Sequence, residues 1–197
     1  MQNFLLISTL YLFFFGRLFG AEVPQISVFD QIPEAAKKNI QKNEIYANSV
    51  VESGKDWQSL DFQIVGETEK SCRDTLRKLS RYETYSNYVG FIKKSTYNDD
   101  KERVHFALSS SLLPFDMILE FKLPRIKQAG AYPFSFDNGF LKDLKGVIQV
   151  EEHSGKCLFF TTASWKGKST GIPDSILSFF SQALSKLSME NMFRIAK

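Results

Sequence analysis

Cysteine, histidine and tryptophan each occur only twice in the 197 residues, and these scarcities exclude chemistry before any pattern is read. His105 and His153 cannot build a metal centre without several well-placed acids, so no metal or cofactor is expected. Cys72 and Cys157 form no CxxC pair, which removes the zinc and dithiol-redox signatures. In an exported protein the pair permits one disulfide, provided the helix carrying Cys72 lies against the strand carrying Cys157 with Cα atoms within about 7 Å; in the cytosol both would be small apolar side chains. Charge of one sign is equally scarce. Lys+Arg 25 against Asp+Glu 22 leaves +3, and Lys93, Lys94, Arg125 and Lys127 are scattered without interleaved aromatics, so no nucleic-acid partner is expected. No apolar run reaches the roughly 20 residues a membrane-spanning helix needs. Phenylalanine is plentiful: Phe 19 against Tyr 7, in a chain that is 43% hydrophobic and 24% charged. A globular domain with many rings to bury is the reading.

The longest apolar run, Phe4 to Phe15, is followed by Gly16, Arg17 and the small pair Gly20-Ala21. Its length suits a signal-peptide core. The expected organisation is a signal peptide over 1–21, a polar lead-in over 22–43 and a folded domain over 44–197, in a periplasmic or secreted protein. A buried N-terminal helix and a retained anchor are the alternatives. Loss of Arg17 with the leader would lower the net charge by one.

The lead-in carries Pro24 and Pro33, with a short helix expected from Pro33-Glu34 through Lys38 and only weak packing. Residues 44–51 suit a strand, Ser53-Gly54-Lys55-Asp56 a turn, and Trp57–Val65 a strand with Leu60, Phe62 and Ile64 on one face. A helix is expected from Glu67-Thr68-Glu69 through Leu79 with Thr68 as cap, then a short helix or turn over Tyr82–Val89. Period-two alternation follows: Val104, Phe106, Leu108; Met117, Leu119, Phe121, Leu123; Tyr132, Phe134, Phe136; then strands over Leu144–Glu151 and Lys156–Trp165 joined at His153-Ser154-Gly155. From Pro173 an amphipathic helix is expected with Ile176, Phe180, Leu184 and Leu187 inward, Leu177 and Ala183 widening the stripe through to Met192 and Ile195, and Ser178, Gln182, Lys186 and Glu190 in water. Short turns make an antiparallel meander the economical topology. The layout is α+β, a curved sheet wrapped around the last helix.

Local matches to catalytic motifs lack their partners. Gly167-Lys168-Ser169-Thr170-Gly171 spells G-x-S-x-G, but both histidines precede Ser169, whereas the hydrolase order needs the acid and His after it. A phosphate loop ending at Lys168-Ser169 would need Gly at Thr162. The segment reads as a flexible turn with solvated Lys166 and Lys168. Asp116 and Glu120 share a strand face and read as outward and solvated.

Arg81-Tyr82-Glu83-Thr84-Tyr85-Ser86-Asn87-Tyr88-Val89 resembles a segment that follows the first helix in the START-like (SRPBCC, helix-grip) superfamily, in particular its polyketide cyclase/dehydrase and coenzyme-Q-binding-like branch. Leu123-Pro124-Arg125-Ile126, Leu144-Lys145-Gly146-Val147-Ile148 and Ile172-Pro173 carry the likeness further, over residues 44–197. Where the family often has an acid before the first Tyr, this chain has Arg81. The resemblance implies a helix-grip fold with an apolar cavity between the sheet and the C-terminal helix, used by relatives for lipids, quinones, sterols or polyketides. The implied ligand-binding wall comprises Tyr88, Phe106, Leu108, Leu119, Phe121, Phe134, Phe136, Ile148, Phe180 and Leu184. The expected function is binding or carriage of a hydrophobic small molecule, with transient membrane contact. Its rivals are a cyclase-type enzyme using Tyr88, His105 or Tyr132 inside the cavity, and a closed-pocket interaction module of the cell envelope.

Overall fold

The computed structural model describes residues 27–109, 116–139 and 141–197; the apolar leader and its exit near Ala21 lie outside them. Eight strands form an antiparallel sheet: β1 Tyr46–Ser53, β2 Trp57–Thr68, β3 Ile92–Asn98, β4 Arg103–Leu108, β5 Met117–Lys122, β6 Gly130–Phe136, β7 Lys145–His153 and β8 Lys156–Lys168. Their order is β1-β2-β8-β7-β6-β5-β4-β3. The β7–β8 turn is the tight pair Ser154-Gly155, with φ of 51° and 77° between the partners His153 and Lys156. Two positive-φ residues match the right-handed twist of a hairpin. β2 runs past Val65 to Thr68 because β8 pairs with it over its whole length, from Trp57↔Lys168 to Thr68↔Cys157.

That extension moves the next helix. Thr68 ends the strand instead of capping, and Ser71 caps α3, Cys72–Leu79, accepting from the Asp74 N–H at 3.3 Å. A 3₁₀ helix over Tyr82–Asn87 follows. Strand β3 has no counterpart in the sequence pattern. Its register shifts between Ile92 and Lys94, which leaves Lys93 and Lys94 both exposed, and its next buried position is held by Ser95. A bulge and a polar inward residue erase the alternation on which a strand is recognised. Ser95 is buried for a reason: its hydroxyl accepts from the Ser86 N–H and donates to the Glu83 carbonyl, both at 2.9 Å, tying the 3₁₀ helix to the sheet.

Residues 28–41 pack firmly, not weakly. Helices α1, Val28–Gln31, and α2, Glu34–Gln41, put Ile32, Ala36 and Ile40 against Val65, Leu158 and Phe160 on the convex face of the sheet. Glu151 holds the entry, accepting from the Ser27 hydroxyl at 2.5 Å and from the Val28 N–H. His153 stacks on Phe29 with centroids 4.1 Å apart and meets Glu67 at 2.8 Å.

The concave face carries α3, the 3₁₀ helix and the long helix α4, Asp174–Ala196. This is the α+β helix-grip layout. Cys72 and Cys157 are bonded, with Cα atoms 4.5 Å apart, joining α3 to β8.

Helix α4 is rolled slightly relative to its sequence pattern. Leu177, Phe180, Leu184 and Met192 of the expected stripe line the concave side, but Ile176 is 45% exposed, and Ser178 and Gln182, expected in water, face β1: the Ser49 hydroxyl donates to the Ser178 carbonyl at 2.9 Å, and Gln182 reaches Ser49 at 3.4 Å. The roll is set at the helix start by Gln58, which is 1% exposed. Its amide NH₂ donates to the Ile172 carbonyl at 2.9 Å and to Asp174 at 2.7 Å, and its carbonyl accepts from the Thr170 hydroxyl at 2.6 Å. The G-x-S-x-G segment is therefore a tied turn, not a flexible one.

Candidate functional site

Between the concave sheet face, α3, the 3₁₀ helix and α4 lies a cavity of about 380 Å³. Its size falls within the range of small-molecule sites. Alternation along each strand produces it: Leu60, Phe62 and Ile64 of β2, Val104, Phe106 and Leu108 of β4, and Met117, Leu119 and Phe121 of β5 all point inward. Nine of the ten residues singled out from the sequence, Phe106, Leu108, Leu119, Phe121, Phe134, Phe136, Ile148, Phe180 and Leu184, line this cavity. Tyr88 does not. The 3₁₀ helix turns Tyr82 and Tyr85 inward at a spacing of three, but it ends at Asn87; Tyr88 takes φ −121° and lies 63% exposed, and Val89 fills the inner position.

The rings of the wall are in contact. Tyr85 stacks on Phe106 at 5.7 Å, Phe106 meets Phe121 edge-on at 5.8 Å, Phe121 stacks on Phe136 at 5.0 Å, and Phe136 meets Phe134 at 6.3 Å. This chain, running across β4, β5 and β6, accounts for part of the phenylalanine excess. Aromatic contacts of this kind add about 0.5–1.5 kcal/mol each beyond area burial.

No Asp, Glu, Lys, Arg or His lines the cavity among the described residues. Tyr82 and Tyr85 are its titratable groups. The Tyr82 hydroxyl donates to the Pro124 carbonyl at 3.0 Å and accepts from the Ile126 N–H at 3.1 Å; that of Tyr85 donates to the Leu79 carbonyl at 2.7 Å. Burial pushes both phenols above their usual range, so both stay protonated at neutral pH. The remaining polar lining is hydroxyl: Thr161 of β8 and Ser181, Ser185 and Ser188 of α4. The lining can bury apolar surface and exchange hydrogen bonds, and among the described residues it holds no group that titrates near pH 7.

The other residues considered for chemistry lie elsewhere. His105 faces outward from β4 and pairs with Glu120 at 2.9 Å; the Asn138 amide also donates to Glu120. These bonds, His105 first, hold the Glu120 carboxyl below its ordinary range. Tyr132 donates its hydroxyl to the Gln128 carbonyl at 2.8 Å and does not reach the lining. A depression of about 480 Å³ on the convex face mixes Asn48, Asp61, Gln63, Lys145 and Thr162 with Val50, Val147 and Ala163; the charged Asp61 and Lys145 set it apart from the cavity.

One residue that anchors part of the lining from outside is invisible in the sequence pattern. Arg125 reads as one scattered cation, yet it donates to Asp99 at 2.6 and 3.0 Å, to Glu83 at 2.9 Å and to the Ser80 carbonyl at 2.6 Å, with its guanidinium 4.2 Å over the Tyr97 ring. It fastens the segment carrying Leu123 and Ile126 beneath α3. Its partners come from two distant stretches of chain, 80–83 and 97–99, and no local spacing encodes them.

No family model matches the chain, and no curated protein sequence matches it. Solved structures do match. A START superfamily protein from Mycobacterium smegmatis superposes with a TM-score of 0.54 at 8% identity over 68% of this chain and 94% of that one. The di-domain ARO/CYC protein StfQ of the steffimycin biosynthetic pathway gives 0.57 at 10% identity over 71% of this chain and 49% of its own length. The protein Ara h 8.0201 gives 0.52 at 8% identity over 70% and 95%. The fold is START-like; at these identities the likeness establishes the fold and no particular branch.

Proposed function

We propose that this START-like chain binds or carries a hydrophobic small molecule of the lipid, quinone or polyketide-like kind in the cavity between sheet and α4. The observation that carries the reading is a ring-walled space of about 380 Å³ with no charged side chain in its lining among the described residues. Transfer of apolar ligand surface from water into it is worth roughly 25 cal/mol per Å². Among the described residues the titratable groups of that lining are two phenols bonded to backbone carbonyls, which favours carriage over cyclase-type chemistry. Export to the periplasm or exterior is part of the proposal. It is supported by the apolar run Phe4–Phe15 with its Gly20-Ala21 exit in the sequence, and by the Cys72–Cys157 bond, which suits an oxidising compartment. A carrier of lipid would touch a membrane transiently to load.

Native mass spectrometry of the protein purified from its own host tests the binding reading: a noncovalent adduct that disappears on organic extraction is the expected result. An adduct-free protein that also fails to take up the neutral fluorophore N-phenyl-1-naphthylamine would contradict it. N-terminal sequencing of that same preparation tests export, with a start near Ala21 or Glu22 expected and Met1 contradicting it.

A further inference from the structure

The polar part of the cavity lining is concentrated on one side. Tyr82 and Tyr85 commit their hydroxyls to backbone carbonyls, and Ser181 commits its own to the Leu177 carbonyl at 2.8 Å. Ser185, Ser188 and Thr161 line the same space and have no hydrogen-bond partner among the described residues. Serines in helices commonly bond back to the carbonyl one turn earlier, as Ser181 does; Ser185 and Ser188 do not.

Strand register sets the height of these groups. Ser178 meets Ser49, whose partner on β2 is Phe62, and a Cβ on Gly66 would lie 2.5 Å from the Met189 sulfur. The helix between Ser178 and Met189 therefore passes over β2 between Phe62 and Gly66. Ile64 is the middle of that stretch, and its partner on β8 is Thr161. Ser185 and Thr161 thus stand at one level of the cavity, opposite the ring wall of Phe106, Phe121 and Phe136.

These hydroxyls are accessible and not buried without a partner, so each is free to exchange water for an incoming donor or acceptor at no loss of an internal bond. An incoming charge finds no counter-ion in the lining and loses its hydration. We infer that the ligand is a neutral, ring-bearing apolar molecule with one or two uncharged hydrogen-bonding groups, hydroxyl or carbonyl, and that Ser185, Ser188 and Thr161 orient it by bonding those groups while its apolar body lies on the ring wall. The inference rests on the cavity-binding reading above. A carboxylate or phosphate on such a ligand stays outside the cavity.

Isothermal titration calorimetry at pH 7 with three naphthalenes of one shape tests this: 2-naphthol, 2-methylnaphthalene and anionic 2-naphthoate. The wild type should bind 2-naphthoate at least about ten-fold more weakly than 2-naphthol. In the triple variant Ser185→Ala, Ser188→Ala, Thr161→Val the ratio of 2-naphthol to 2-methylnaphthalene affinity should fall about ten-fold, the loss of roughly one good hydrogen bond, with 2-methylnaphthalene itself unchanged within about two-fold. Thr161→Val alone, which preserves shape, should lower the ratio about two- to three-fold and serves if the triple variant does not fold. An unchanged ratio, or 2-naphthoate bound as tightly as 2-naphthol, overturns the ligand class while 2-methylnaphthalene binding upholds the cavity. Failure of all three to bind overturns the cavity reading and this inference with it.

Discussion

The two walls of the cavity are made of different materials. On β4, β5 and β6 the wall is a continuous set of rings, Phe106, Phe121, Phe136 and Phe134, each held by its neighbour. On α4 the wall mixes Leu177, Leu184, Met189 and Met192 with the hydroxyls of Ser181, Ser185 and Ser188. Rings with two torsions each give a stiff surface of large area, whereas thioethers adapt their shape and hydroxyls exchange partners. Area on one side supplies affinity, and adaptable polar contacts on the other supply choice. A site divided in this way keeps its shape when empty because the ring wall is supported by its own contacts.

The bond that fixes the roof between the walls has the largest expected effect. The Cys72–Cys157 bond ties α3, which roofs the cavity, to β8. Replacing both with Ser should cost about 2–5 kcal/mol of stability, read as a shift of the urea midpoint; a midpoint unchanged under oxidising conditions would show that α3 docks without the bond.

The same substitution made on each wall sharpens the contrast. Phe121→Ala removes the central ring, which touches Phe106 and Phe136, and should cost about 2–4 kcal/mol without ligand. Phe180→Ala, on the half-buried first half of α4, should cost under about 1 kcal/mol and change the affinity for an apolar probe more than the stability. Equal losses from the two in chemical denaturation would mean that both walls are ordinary core.

A smaller effect probes how closely α4 seats on the sheet. At Gly66 a Cβ would come within 2.5 Å of the Met189 sulfur and 2.8 Å of the Phe193 ring, so Gly66→Ala forces the helix or its side chains to shift, at about 1–3 kcal/mol. Calorimetry with an apolar probe should report weaker binding in this variant, because α4 moves away from the ring wall.

The mildest effect concerns the start of α4. The Ser53 hydroxyl, then the Gln58 amide, hold the Asp174 carboxyl below its usual range. A carboxyl whose folded pKa is depressed contributes its full share above the unfolded value, about 3.9, and loses it as pH falls through the folded value. Thermal melts should therefore show a constant advantage of wild type over Asp174→Asn from about pH 5 to 7 that disappears below about pH 4. An advantage that persists at low pH would assign it to something other than the ionised carboxylate.

The ring wall was legible in the sequence because alternation on β4, β5 and β6 is regular, and Phe at alternate positions of a strand can face only one side. The helix wall was legible in part. Phe180, Leu184 and Met192 of the expected stripe line the cavity, but Phe, Leu and Ser occur on every side of α4, and nothing local tells whether Ile176 or its neighbour Leu177 turns inward. The choice between them is made by Gln58 and Ser49, residues more than a hundred positions away in the chain. Tyr88 was misplaced by a single turn of 3₁₀ helix, since an inward run of Tyr82 and Tyr85 gives no sign of where it stops. Arg125 and β3 share this cause: bonds to two distant segments in one case, a bulge in the other, leave no period to read.

The central claim, that an apolar ligand occupies the space between the ring wall and α4, is tested most directly by a crystal structure of the protein soaked with 1-bromonaphthalene. This probe has no hydrogen-bonding group, so its placement depends on the cavity alone. The account predicts an anomalous bromine peak between Phe121 and Leu184, with the ring chain from Tyr85 to Phe134 in place. Bromine found only on the outer surface, with Leu184 packed directly onto Phe121, would contradict it.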